Sequence, residues 1–111
     1  MKLNVELGQV IAERTLTFSA PDRPARTVIV KLGAPKQGPD RPDDWFCPWQ
    51  IIGIGSEQVM YTAGVDGFHT LQLVMDMIGA TLYYEAERAG MRMYWLDEAD
   101  PDIGFPNGSV T

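Results

Sequence analysis

At 111 residues and a formal charge of −6, the chain has the size of one domain and the wrong sign for a phosphate backbone or an anionic membrane surface. Hydrophobic residues make up 45% and charged residues 22%, a balance that excludes wholesale disorder. The single cysteine excludes an intrachain disulfide and a multi-cysteine metal site.

Leu3, Val5 and Leu7 alternate with Lys2, Asn4 and Glu6 up to Gly8, which reads as a bulge or turn in one bent strand or between two. From Gln9 the alternation resumes, with Val10, Ala12, Leu16 and Phe18 on one parity and Arg14 the one charged intruder among them. Ala20–Pro24 is a breaker cluster, predicting a turn with no continuous strand through it. A second strand, Arg26–Leu32, completes a hairpin. Gly33–Asp44 holds three prolines and two glycines in twelve residues, the composition of a surface loop without a regular element. Trp45–Ile54 is apolar on both faces and reads as a central strand, although Pro48 demands a bulge or an unpaired side. Gly55–Glu57 turns the chain into a fourth strand, Gln58–Ala63.

Asp66 is placed to cap a helix over Gly67–Ala89, about 34 Å long at ~1.5 Å per residue. Gly90 supplies the left-handed residue that ends it, and Arg88 sits in the last turn where the dipole favours a cation. Met91–Leu96 is a last strand, followed from about Asp97 by an irregular acidic tail punctuated by Pro and Gly. The expected fold class is α+β. A mostly antiparallel sheet of four or five strands carries one long helix on one face, in the order β-β-β-β-α-β, as a single domain over residues 1–111. Its predicted core holds Val10, Leu16, Val28, Val30, Trp49, Ile51, Phe68, Leu71, Met75, Ile78, Leu82 and one parity of the last strand. Met1–Val10 lacks the apolar stretch of a signal peptide and no run approaches membrane-spanning length, so a cytoplasmic protein with no membrane partner is expected.

The helix carries two apolar faces. Phe68, Leu71, Met75, Ile78, Leu82 and Ala86 form the stripe expected on the sheet. Leu73, Met77, Ala80 and Tyr84 form a second, nearly opposite stripe that something must cover. One candidate is the tail, through Ile103 and Phe105; the other is a second copy or another protein.

The candidates for chemistry are few. Asp66 and His69 stand one turn apart, as a carboxylate–imidazole base or two metal ligands would, but no third ligand accompanies them, and a cap beside a surface histidine is the expected reading. Cys47 lies within a strand rather than at a helix N-terminus, and reads as a buried inert thiol. Asp97, Glu98, Asp100 and Asp102 lack the later glutamate of a calcium loop and read as solvated charge. Arg14, on the apolar parity, calls for a carboxylate partner, with Asp44 and Asp66 as candidates, or a route to solvent, and a structural ion pair is expected rather than a ligand-binding arginine. No pattern calls for a cofactor, a metal or nucleic acid.

Several stretches occur together in order: I-A-E-R at Ile11–Arg14, L-G-x-P at Leu32–Pro35, D-W-x-C-P-x-Q-I-x-G at Asp44–Gly53, G-V-D at Gly64–Asp66, L-Q-L at Leu71–Leu73 and I-G-F-P at Ile103–Pro106. In these the chain resembles an uncharacterised family of small bacterial proteins, a domain of unknown function, over roughly Ile11 to Pro106. The resemblance implies a bacterial source and a compact single domain, and brings no activity or cofactor. Its pattern has glutamine where this chain has His69, a departure that speaks against a histidine mechanism. Two functions follow as expectations. The first is a non-enzymatic interaction module that forms a homodimer or binds a partner protein through Leu73, Met77 and Tyr84. The alternative is a small-molecule or catalytic site near the Gly33–Asp44 loop, built from Asp44, Trp45, Asp66 and His69.

Overall fold

A bulged hairpin is the centre of the sheet. In a computed structural model that describes residues 6–41 and 43–106, β1 (Val10–Ala20) pairs antiparallel with β2 (Arg23–Gly33). The chain turns at Pro21 and Asp22 alone, so Pro24 lies inside β2, contrary to the break expected there. Its missing N–H is tolerated because the register slips between Phe18 and Ala20, setting Pro24 and Ala25 opposite Ser19 in a bulge. The expected alternation of Leu3 and Val5 falls outside the described residues.

Within the expected loop, Lys36 and Gln37 form a two-residue strand, β3, against β4 (Trp45–Ile52). Trp49 pairs with Leu32 of β2, whereas Phe46 pairs with Lys36, so three residues, 33–35, oppose the two residues Cys47 and Pro48. β3 is thus a continuation of β2 past a bulge. That bulge answers the expectation at Pro48: Pro48 offers no N–H, and the Gly33 carbonyl instead accepts the Cys47 thiol at 3.2 Å. A Cβ at Gly33 would strike the Leu7 carbonyl oxygen and come within 2.7 Å of Pro48 Cγ, so only glycine lets the two strands close here.

β5 (Met60–Gly64) pairs with the other side of β4, and β6 (Arg92–Tyr94) pairs with the outer side of β1. The sheet therefore runs β5, β4, β2 with β3, β1, β6, all neighbours antiparallel, and α1 (Gly67–Ala89) carries the chain across it from one edge to the other. This is the α+β architecture the sequence predicts, with helix bounds that match.

The local signals of the helix act as expected. Asp66 Oδ1 accepts from the His69 amide at 2.7 Å. Gly90, at φ 66°, closes the other end: its N–H reaches the Glu87 carbonyl and the Met91 N–H reaches that of Ala86, the two bonds of a Schellman cap. Arg23 Nη2 donates to the Ala89 carbonyl at 2.6 Å, tying the hairpin turn to the helix end. No helix among the described residues is long and apolar enough to cross a membrane.

The core gathers Leu16, Phe18, Val28, Val30, Trp49 and Ile51 from the sheet, Val74, Ile78 and Leu82 from α1, Met91 and Met93 around β6, and Ile103 from the tail. Of the predicted core residues, Leu71 and Met75 are only partly buried against it, and two are exposed. Val10 is 38% exposed, at the end of the hairpin where β1 pairs only with Gly33. Phe68 is 83% exposed because the helix is rolled by a few tens of degrees from the predicted stripe, burying Thr70 and Val74 instead. The roll follows from Gly64: a Cβ there would stand 2.5 Å from Thr70 Oγ1 and 2.9 Å from its Cα, so the first turn seats directly on β5. Thr70 is fully buried at no polar cost, its hydroxyl donating to the Asp66 carbonyl at 2.6 Å.

Arg14 finds neither Asp44 nor Asp66. Its Cζ stands 3.8 Å from the Trp95 ring centroid and 4.7 Å from that of Phe105, and Nη1 donates to the Ile103 carbonyl at 3.1 Å. No carboxylate pairs with it among the described residues. Two aromatic faces and a carbonyl replace the expected ion pair. Arg14→Met, which keeps an apolar stem but loses both, is expected to destabilise the protein by about 1–3 kcal/mol in urea denaturation. A cost below ~0.5 kcal/mol would show that the clamp contributes little.

Candidate functional site

The described tail settles on one flank of α1 and leaves the other open. A Cβ at Gly79 would strike the Pro106 carbonyl oxygen, so Phe105 and Pro106 lie against the helix there. Gly79 is roughly 120–160° round the helix from Leu73, Met77 and Tyr84. The described tail therefore does not reach that second stripe. Leu73 is half-buried, Met77 is 47% exposed and Tyr84 is 64% exposed. Glu87 and Arg88 flank Tyr84 in a shallow depression.

On the open flank, α1 overhangs the turn between β4 and β5 and encloses a pocket of about 240 Å³. Trp49, Ile51 and Ile54 form its buried floor, and Met60 and Met77 its apolar rim. The indole N–H of Trp49 is spent on Thr62 Oγ1 at 3.1 Å, which leaves the ring as an apolar surface. The turn follows an unusual backbone path, with φ of 104° at Gly53, 72° at Gly55 and 61° at Glu57. Glu57 is the one non-glycine with positive φ among the described residues. Two bonds hold it: its carbonyl accepts from Gln50 Nε2 at 2.8 Å, and its Oε2 accepts from the Gly53 amide at 2.9 Å. Across the pocket, Glu85 is 14% exposed. Its Oε1 accepts from Arg88 Nε at 3.0 Å, and Oε2 stands so close to Gly55 that a Cβ there would strike it. That hydrogen bond and the charge of Glu85 raise the Arg88 pKa above its ordinary value.

The alternative group of predicted site residues divides. Asp44 and Trp45 line an open depression with Arg41, Phe46 and Tyr61, in which Asp44 pairs with Arg41 at 3.2 Å. Asp66 and His69 do not line it. Asp66 is occupied by the helix cap, and His69 Nδ1 accepts from the Val65 amide at 3.1 Å. Backbone groups thus engage Asp66 Oδ1 and His69 Nδ1, and the two side chains form no carboxylate–imidazole pair. Glu57, Glu85, Met60 and Thr81, all of which line the α1 pocket, carry no signal of a site in the sequence. Only the positive φ at Glu57 marks them, and no residue pattern announces that.

In the acidic run, Asp97, Asp100 and Asp102 each accept from the backbone amide two residues on, at 2.9, 3.0 and 2.8 Å, while Glu98 pairs with Arg92. Among the described residues, no group of three or more His, Cys, Asp or Glu side chains is placed to hold a metal ion.

The fold is that of a small α+β domain in which one helix spans an antiparallel sheet, with an apolar pocket beside that helix. The chain belongs to the family described as a domain of unknown function (DUF6968), whose model matches residues 12–107. No curated protein and no solved structure matches it.

Cys47 is fully buried, and burial pushes its pKa from 9.0 up to about 11. In the folded protein it is expected to react slowly with a disulfide reagent at pH 8 and rapidly once urea unfolds the chain. Since the folded pKa exceeds the unfolded one, the stability tied to the protonated thiol is present below pH 9 and lost as pH rises towards 11. Cys47→Ala should flatten that alkaline loss. Fast labelling of the native state would contradict the burial.

Proposed function

We propose that the protein is a non-enzymatic interaction module that pairs with a second copy of itself through the outer face of α1, Leu73, Met77 and Tyr84. The observation that carries the reading is that Met77 and Tyr84 stay exposed while the described tail packs on the opposite flank. Two features support a second copy as occupant. Glu87 and Arg88 beside Tyr84 give the rim both signs of charge, as a self-complementary two-fold contact requires. The neighbouring edge strand β5 bears no charged residue from Met60 to Gly64, so two chains of net charge −6 can approach there without placing like charges in contact.

Absolute mass by light scattering after size exclusion, at two concentrations about twenty-fold apart, is the test. The expected mass is about 25 kDa, twice 12.4 kDa. Tyr84→Glu and Met77→Glu should each return it to the monomer with helical circular dichroism unchanged, because both side chains are exposed. A monomer mass for the unaltered protein at both concentrations overturns the proposal.

A further inference from the structure

We infer that the pocket between α1 and the turn from Gly53 to Gln58 binds a small amphipathic cation: an amine or guanidinium carried on an aromatic or branched apolar body. The floor and the rim ask for different halves of one molecule. The floor of Trp49, Ile51 and Ile54 is almost wholly shielded from water, yet borders an open space, so it takes an apolar body. A space of about 240 Å³, open on one side, suits a ring with a short arm.

The rim supplies the charge. Glu57 lines the pocket from the turn and Glu85 from α1, and no lysine or arginine lines it. Glu85 meets Arg88 through Oε1, and its Oε2 stands against Gly55 at the pocket wall. Glu57 Oε2 accepts from the Gly53 amide, and a carboxylate has lone pairs to spare beyond that one bond. An anion would meet two carboxylates here, whereas a cation is attracted by both of them. The polar side chains besides these are neutral: Ser56, Gln58, Tyr61 and Thr81.

Phenethylamine and tryptamine are suitable probes, with 3-phenylpropionate as the anionic counterpart of the same shape. Titration followed by amide chemical shifts is expected to give saturable binding at about 1 mM or tighter for the amines. The shifts should map to residues 53–58 and 77–85, and the carboxylate should bind at least about tenfold more weakly. Glu85→Gln and Glu57→Gln should each weaken the amines about tenfold. The side-chain amide introduced by Glu57→Gln retains an oxygen to accept from Gly53, so the turn keeps its bond. Thr81→Leu, which fills the pocket from the helix side, should abolish binding. The same titration in Tyr84→Glu, a residue outside the pocket lining, should give unchanged affinity, so failure of self-association and failure of the cation site read separately. Equal binding of the carboxylate, shifts elsewhere, no saturation by about 10 mM, or unchanged affinity in both glutamine variants overturns the inference.

Discussion

One guanidinium decides where the described segment after α1 goes. Arg14 stands on the core-facing parity of β1, where a charge without a counterion is costly. It is accommodated because Trp95 and Phe105 present their ring faces and Ile103 its carbonyl, three contacts that all come from the segment after α1. The arrangement needs glycine twice. Gly104, at φ 79°, sits so close that a Cβ would fall 2.5 Å from Arg14 Nη1 and 2.7 Å from the Trp95 ring, and Gly79 admits Pro106 to the helix surface. With the tail held there, Ile103 is fully buried and one flank of α1 is covered. The other flank keeps its apolar side chains and its pocket facing water.

The stretches that carry the family resemblance turn out to meet one another in space. I-A-E-R and I-G-F-P, about 90 residues apart in sequence, join at Arg14 and Ile103. L-G-x-P meets W-x-C-P where the Cys47 thiol donates to the Gly33 carbonyl and Pro48 packs on Gly33. G-V-D supplies the glycine on which Thr70 rests and the aspartate that caps the helix. These contacts assemble the fold. Glu57, Met77 and Glu85, which shape the pocket, lie in none of the quoted stretches.

What is legible in the sequence follows the range of each signal. Helix bounds rest on Asp66 and Gly90, whose capping bonds lie within five residues in the chain, and both are readable. Strand identity rests on period-two alternation, equally local, and the hairpin and β4 are readable too. Pro24 misleads because proline is a local breaker, but whether a strand tolerates it depends on a bulge set by the partner strand. The roll of α1 is hidden for the same reason. Hydrophobicity favours Phe68 inside, and a glycine on another element decides for Thr70. The pocket is illegible altogether, since it exists only where the helix, the end of β4 and the β4–β5 turn converge.

The roll has a further effect. Seating the first turn of α1 on Gly64 places Val74, Ile78 and Leu82 over the sheet, and a helix is stiff enough to carry that orientation along its length. Met77, Thr81 and Glu85 follow one another at intervals of four residues, so the same seat that buries Val74 aims this row over the β4–β5 turn. Rolling back to bury Phe68 would swing the row towards solvent and open the wall that Glu85 forms. An exposed phenylalanine at the head of the helix and a walled pocket three turns later are therefore two results of one close contact. The open apolar surface of α1 is a product of how the core is packed, and not a surplus that packing failed to use.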